Sequence, residues 1–207
     1  MKKIKGDIGF YSLEDWWIDA FSEEERKYIL SIYRPMGGND ESLIEGERKR
    51  ENFIVEPHSI VQFLATLASW FHRKDDRHIA RKILDKALIL VDENTKVLDL
   101  HFMYQHIIQI YYKDRNVPEY FDKAIWACKK QIELSKKSAN EFIRDPYNKD
   151  GSLPRHIGYE QLAIILEKEK KYDEAIRLCE QAKNEGWNGD WDKRIGRCKK
   201  KKVNRAF

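Results

Sequence analysis

Arg73 and His78 close the stretch RKDDRH. A guanidinium and an imidazole at that spacing have the chemistry of phosphodiester cleavage. The arginine balances phosphate charge, and the histidine passes a proton near neutral pH. His156 and Glu160 stand at i and i+4, the spacing of two metal ligands on one helix face. No third ligand is near them and no HExxH occurs, so no metal and no cofactor is expected. The C-terminal end is the third reactive set: from Lys193 to Phe207 there are eight Lys/Arg and no acid. Lys199, Lys200, Lys201 and Lys202 are its densest run, suited to phosphate or to an acidic partner. The chain has 39 basic and 35 acidic residues, so outside this tail it is slightly acidic. No glycine loop that would cradle phosphate and no serine-nucleophile elbow is present.

Helices must position these groups. Of 207 residues, 36% are charged while 42% are hydrophobic and 12% aromatic, enough apolar side chains for a core beneath a well-solvated surface. Five prolines and ten glycines leave room for long regular elements. Cys128, Cys179 and Cys198 are too few and too scattered for a zinc knuckle or a CxxC pair and read as buried free thiols. The lysine-bearing start lacks the apolar run of a signal peptide, and no stretch is apolar enough to span a bilayer. A cytoplasmic protein with no membrane partner is expected.

Ser12 is the expected cap of LEDWWIDAF, and Ser22 with Glu25 forms a capping box for the next helix, which Pro35 and Gly37-Gly38 stop. Pro57 opens HSIVQFLATLASWFHR, KDDR turns the chain, and HIARKILDKALILVDE follows. Asn94 and Thr95 precede a long apolar-periodic segment. A further helix is expected from Val117 to Phe142, then the loop DPYNKDGSLP, two more helices, and a last one capped by Asp190. The pattern predicts an all-α chain of roughly nine helices. Its expected divisions are a helical cap and polar connection over 1–56, a helical array over 57–192 and a basic C-terminal helix or tail over 193–207.

Three helix pairs align on Ala80, Ala124 and Ala175. Four residues on come Leu84, Cys128 and Cys179; seven on come Ala87, Gln131 and Ala182. The preceding helices carry Leu64, Leu67, Ala68 and Phe71, then Tyr104, Ile107, Ile108 and Tyr111, then Tyr159, Leu162, Ala163 and Leu166. Each set is an i, i+3, i+4, i+7 stripe, with small residues where helix axes approach closely. This stripe, with Tyr172 ahead of the second helix, resembles the tetratricopeptide repeat, best over Tyr159 to Trp187. The family's elbow glycine is Lys170 here and its terminal proline is Trp187.

The resemblance implies a right-handed solenoid of about three hairpins, with an N-terminal helical cap and a C-terminal helix. Its concave face, lined by the first helices, would grip a peptide or partner segment through Gln62, Ser69 and His72, then Gln105, Gln109 and Tyr112, then Glu160, Ile164 and Glu167. Ala65 and Ser69 stand where a carboxylate clamp would need lysine and asparagine, so an extended backbone or a basic segment suits this wall better. The leading expectation is a non-catalytic adaptor. Arg73 and His78 also match the R-x4-H pattern of HEPN-type ribonucleases, which implies RNA cleavage as an alternative. About one such match arises by chance at this composition. Nucleic-acid binding through the basic tail is the other alternative. In adjacent aromatics such as Trp16/Trp17, Trp70/Phe71 and Tyr111/Tyr112 one ring can face the core while its neighbour turns about 100° away; the expectation is that both are at least partly buried, and an exposed member would be an interface anchor.

Overall fold

Ala80, Ala124 and Ala175 are completely buried, as are Leu84, Cys128 and Cys179 four positions on and Ala87, Gln131 and Ala182 seven positions on. The spacing seen in the sequence therefore marks a packed face in all three helix pairs. The computed structural model describes residues 4–35, 42–46 and 58–204. Among these residues there are eleven α-helices and no strand. The chain divides into two compact units, Met1–Asp92 and Glu93–Phe207.

The N-terminal unit holds α1 (Gly6–Phe10), α2 (Glu14–Ala20), α3 (Glu23–Ile32), α4 (Ile60–Ala68) and α5 (Arg77–Ile89). The short α1 was not expected. Its first turn has no intrahelical partners for its N–H groups, and carbonyls of the 42–46 segment accept from Lys5, Gly6, Asp7 and Ile8. Ser12 does not cap α2. It lies at φ +53 and ends α1, its N–H bonding to the carbonyl of Gly9 while Leu13 N–H bonds to that of Ile8. The capping box of α3 is present: Ser22 Oγ accepts from Glu25 N–H at 3.2 Å, and Ser22 N–H donates to Glu25 Oε2 at 2.8 Å. Ser59 caps α4 by accepting from Gln62 N–H at 3.1 Å, and Pro57 lies outside the described residues. α4 stops at Ala68, so Phe71 fills the core from the following turn. α4 packs on α5, where Ile79, Ile83 and Leu84 are fully buried; truncating such a leucine to alanine costs about 2–5 kcal/mol.

The C-terminal unit holds α6 (Val97–Lys113), α7 (Pro118–Glu133), α8 (Ser135–Arg144), α9 (Ile157–Lys168), α10 (Tyr172–Asn184) and α11 (Trp191–Val203). α6 pairs with α7 and α9 with α10; α9 also packs on α6 and α7, and α11 on α10. The helix expected over Val117 to Phe142 is two, broken at Leu134. Neither proline nor glycine causes the break. Ser135 is buried and its Oγ donates to Glu185 Oε2 at 2.6 Å, a bond across the fold that a straight helix would have to meet by chance. α11 begins at Trp191, and Asp190 precedes it without a side-chain cap bond.

Trp187 and Trp191 are both buried and share a cluster with Ala139, Tyr159, Ala163 and Ala182. Trp191 Nε1 donates to the Trp187 carbonyl at 2.7 Å, which holds the α10–α11 connection against the last hairpin.

Candidate functional site

α6 presents Gln105, Gln109 and Tyr112 at i, i+4 and i+7, one side of the helix. Gln109 is exposed, while Gln105 and Tyr112 are half-buried. The Tyr112 ring lies 4.9 Å from the Arg115 guanidinium, and its hydroxyl accepts from Lys168 Nζ at 3.3 Å. Lys168 is one turn beyond Ile164 on α9, so the α6 stripe and the Ile164–Lys168 edge of α9 lie side by side. Ile164 is half-buried. The Tyr112–Lys168 bond joins these two edges of the expected wall at their C-terminal ends; between them they carry two amides, a tyrosine, an isoleucine and two cations.

Glu160 and Glu167 do not extend that wall as free acids. Glu160 accepts from Arg155 at 2.5 Å. Glu167 is only 9% exposed and accepts from Arg194 at 2.7 Å, Arg197 at 2.8 and 3.0 Å, and Lys201 at 2.9 Å. The hydrogen bond from Arg197 leads in pulling the Glu167 carboxyl down to about 2, against burial, with Lys201 adding to it. The sequence reading thus requires correction here: the acid of the third helix pair faces α11 because three cations on one side of α11 converge on it. The same contact divides the tail. Lys201 is held by Glu167 and Lys202 by Asp173 at 2.6 Å, whereas Lys199 and Lys200 are exposed and make no ion pair with described residues.

In the N-terminal unit Gln62 is half-buried and Ser69 Oγ donates to the carbonyl of Thr66 at 2.7 Å; His72 is exposed. Arg73 lies in the turn before α5 and His78 in its first turn. The two face different tasks. The Arg73 carbonyl accepts from Asp76 and Arg77 N–H to build the turn, and His78 Nε2 sits 3.1 Å from Glu25 Oε1. Glu25 also accepts from Lys82 at 2.7 and 2.9 Å. Burial pushes the Glu25 carboxyl up, but hydrogen bonds from Lys82 and Ser22 N–H outweigh it and leave the pKa below its ordinary value. Asp76 is buried and accepts from the Tyr28 hydroxyl at 3.1 Å.

His156 and Glu160 are not a metal pair. His156 is the N-cap of α9, completely buried, and its Nδ1 accepts from Tyr159 N–H at 3.3 Å. With Nδ1 accepting, the neutral ring carries its proton on Nε2 and has no lone pair there for a metal. No group of three or more His, Cys, Asp or Glu side chains suited to a metal occurs among the described residues. His156 instead belongs to an aromatic nest, its ring centroid 5.0 Å from His101 and 4.6 Å from Trp187, with His101 stacked on Trp187 at 5.6 Å. Burial lowers the His101 pKa to about 4; burial, then the neighbouring His101, lowers that of His156 to about 3. Both rings are neutral at pH 7. The three cysteines are buried free thiols, and burial pushes Cys128 up to about 12 and Cys179 to about 11. Such thiols are unreactive at neutral pH.

Sequence reasoning missed Gln131, which stands in an alanine slot of the aligned pairs. Its Nε2 donates to the His101 carbonyl at 2.9 Å and its Oε1 accepts from Gly158 N–H at 2.7 Å, so one buried amide ties α6, α7 and the start of α9. The available signal was the polar residue itself at a buried register position. Among the described residues no helix is long and apolar enough to cross a membrane. No family model, no curated protein and no solved structure matches the chain.

Proposed function

We propose that the chain is a non-catalytic scaffold, built as a tetratricopeptide-like right-handed array of helical hairpins, that holds a segment of a partner protein. The observation that carries this reading is the wall formed where α6 and α9 adjoin, with Gln105, Gln109, Tyr112 and Ile164 presented across two helices. Amide side chains both donate and accept, so they suit a peptide backbone, and a half-buried tyrosine supplies an anchor of low entropic cost. The buried alanines that let paired helices approach, and the packing of α9 on both members of the preceding pair, support a stacked array.

A photo-crosslinking residue at Gln109, irradiated in cells and followed by mass spectrometry, should give a dominant protein adduct. Tyr112→Ala should reduce that adduct several-fold, while a probe at Glu119 should not give it. Equal labelling from both positions would sink the reading.

A second reading, phosphate binding by α11, is favoured by Lys199 and Lys200, which are exposed and make no ion pair with described residues. It predicts single-stranded RNA binding that weakens steeply with added salt and is lost in the Lys199→Glu/Lys200→Glu double variant. Salt-insensitive binding excludes it.

A further inference from the structure

The stripe that packs the first helix of each pair repeats in residue type but not in burial. At its second and fourth positions Leu67 and Phe71 are buried, and so are Ile107 and Tyr111. Their counterparts in α9, Leu162 and Leu166, are only half-buried. They line a groove of about 600 Å³ in the C-terminal unit, bounded by α7 and α10. Half-buried Ile125 on α7 and Leu178 on α10 carry the apolar surface up its two sides.

The rim carries three cations, Lys129, Lys171 and Arg177, against two acids, Glu169 and Glu174, so its charge leans positive. Lys171 pairs with Glu169 at 2.7 Å. Lys129 on α7 and Arg177 on α10 are exposed, line the same groove, and make no ion pair with described residues. This side of α9 is about half a turn from Glu160, Ile164 and Glu167 at 100° per residue. It is therefore a different surface from the α6–α9 wall, and α11 covers Glu167 rather than Leu162 or Leu166.

We propose that this groove docks an acidic amphipathic helix of a partner protein. The inference rests on the scaffold reading and adds a second surface to it. All three walls are helices whose backbone groups bond internally, so an extended segment would find no main-chain partners over an apolar floor. A helix arrives with its own backbone satisfied and can lay an i, i+3/i+4, i+7 apolar stripe on Leu162, Leu166 and Leu178. Asp or Glu on its two flanks then meets Lys129 on one side and Arg177 on the other.

The test uses the full chain and a fluorescent synthetic peptide of about five helical turns, with leucines on one face and glutamates elsewhere. Two control peptides replace the glutamates by lysines or place proline at the centre. Anisotropy titration should show the glutamate helix binding about tenfold or more tighter than the lysine helix, and the proline peptide binding weakly. Lys129→Glu/Arg177→Glu should invert the charge preference with an unchanged thermal melt, since both side chains are exposed. Gln109→Ala/Tyr112→Ala should leave peptide affinity unchanged, which separates this groove from the wall. Equal affinity for the two charged helices, or indifference to the double reversal, overturns the proposal. So does binding lost only on neutralising Lys199 and Lys200, which assigns it to the tail. Self-association in sedimentation that the double reversal abolishes also overturns it, by giving the groove to a second copy.

Discussion

Lys170 holds a backbone conformation that favours glycine, at φ +62. It ends α9 in the two-bond pattern of a helix terminus, Lys170 N–H to the Glu167 carbonyl at 3.2 Å and Lys171 N–H to that of Leu166 at 2.9 Å. The end of α10 repeats the pattern with a glycine: Gly186, at φ +85, bonds to Lys183 and Trp187 bonds to Ala182. Lys170 thus holds, without being glycine, the left-handed backbone that glycine takes at no steric cost. Lys170→Gly should stabilise the protein by about 0.5–1 kcal/mol, read as a higher urea midpoint; a lower midpoint would contradict the strain. A second residue-scale prediction concerns acid. His101 and His156 bind protons less readily folded, with pKa about 4 and about 3, than unfolded. The unfolded chain therefore takes up more protons below its ordinary histidine pKa. Stability is full above about pH 6.5 and falls as pH drops toward 4, by up to about 1.4 kcal/mol per histidine per pH unit. Urea midpoints between pH 7.5 and 4.5 should decline, and His101→Phe should flatten that decline.

Between elements, contact depends on small residues and on single polar bridges. A methyl group added at Gly158 would stand 3.0 Å from the Cys128 carbonyl and 2.8 Å from Gln131 Oε1, so α9 would have to back away from α7. Gly158→Ala should cost about 1–3 kcal/mol, although alanine favours an isolated helix, and unchanged stability would mean that the two helices yield. Glu167 fastens α9 to α11. Glu167→Gln leaves three cations facing a neutral amide and should cost about 2 kcal/mol. In the wild type the carboxylate's contribution is present above its ordinary pKa and is lost as pH falls through about 2. Amide exchange should therefore speed up in α11 of the variant at pH 7 but not in α6; uniform protection would argue against the clamp. The break at Leu134 and the bridging by Gln131 belong to this scale too. Both depend on what stands across from a residue; periodicity marks Gln131 as a polar residue in a buried register but does not name its partners, and it does not mark the break at Leu134 at all.

For the molecule as a whole, residues 93–207 form one of two compact units and bury their own cluster, from Ala139 to Trp191. Expressed alone, this segment should keep its helical circular dichroism and unfold cooperatively; a gradual, featureless melt would show that it borrows stability from the rest of the chain. The helical class, the paired stripes, the buried alanines and the capping box at Ser22 were all legible in the sequence. Each is a property of residues within about one or two turns of each other, where side-chain size, charge and 3.6-residue spacing act directly. Tertiary structure alone decided that Glu167 meets Arg194, Arg197 and Lys201, that His78 is held by Glu25, that His156 goes inward while Glu160 stays outside, and that Leu162 and Leu166 are left half-open. These outcomes depend on which helix comes to lie against which. A stripe specifies that a helix must be covered, but the identity of its cover comes from distant parts of the chain.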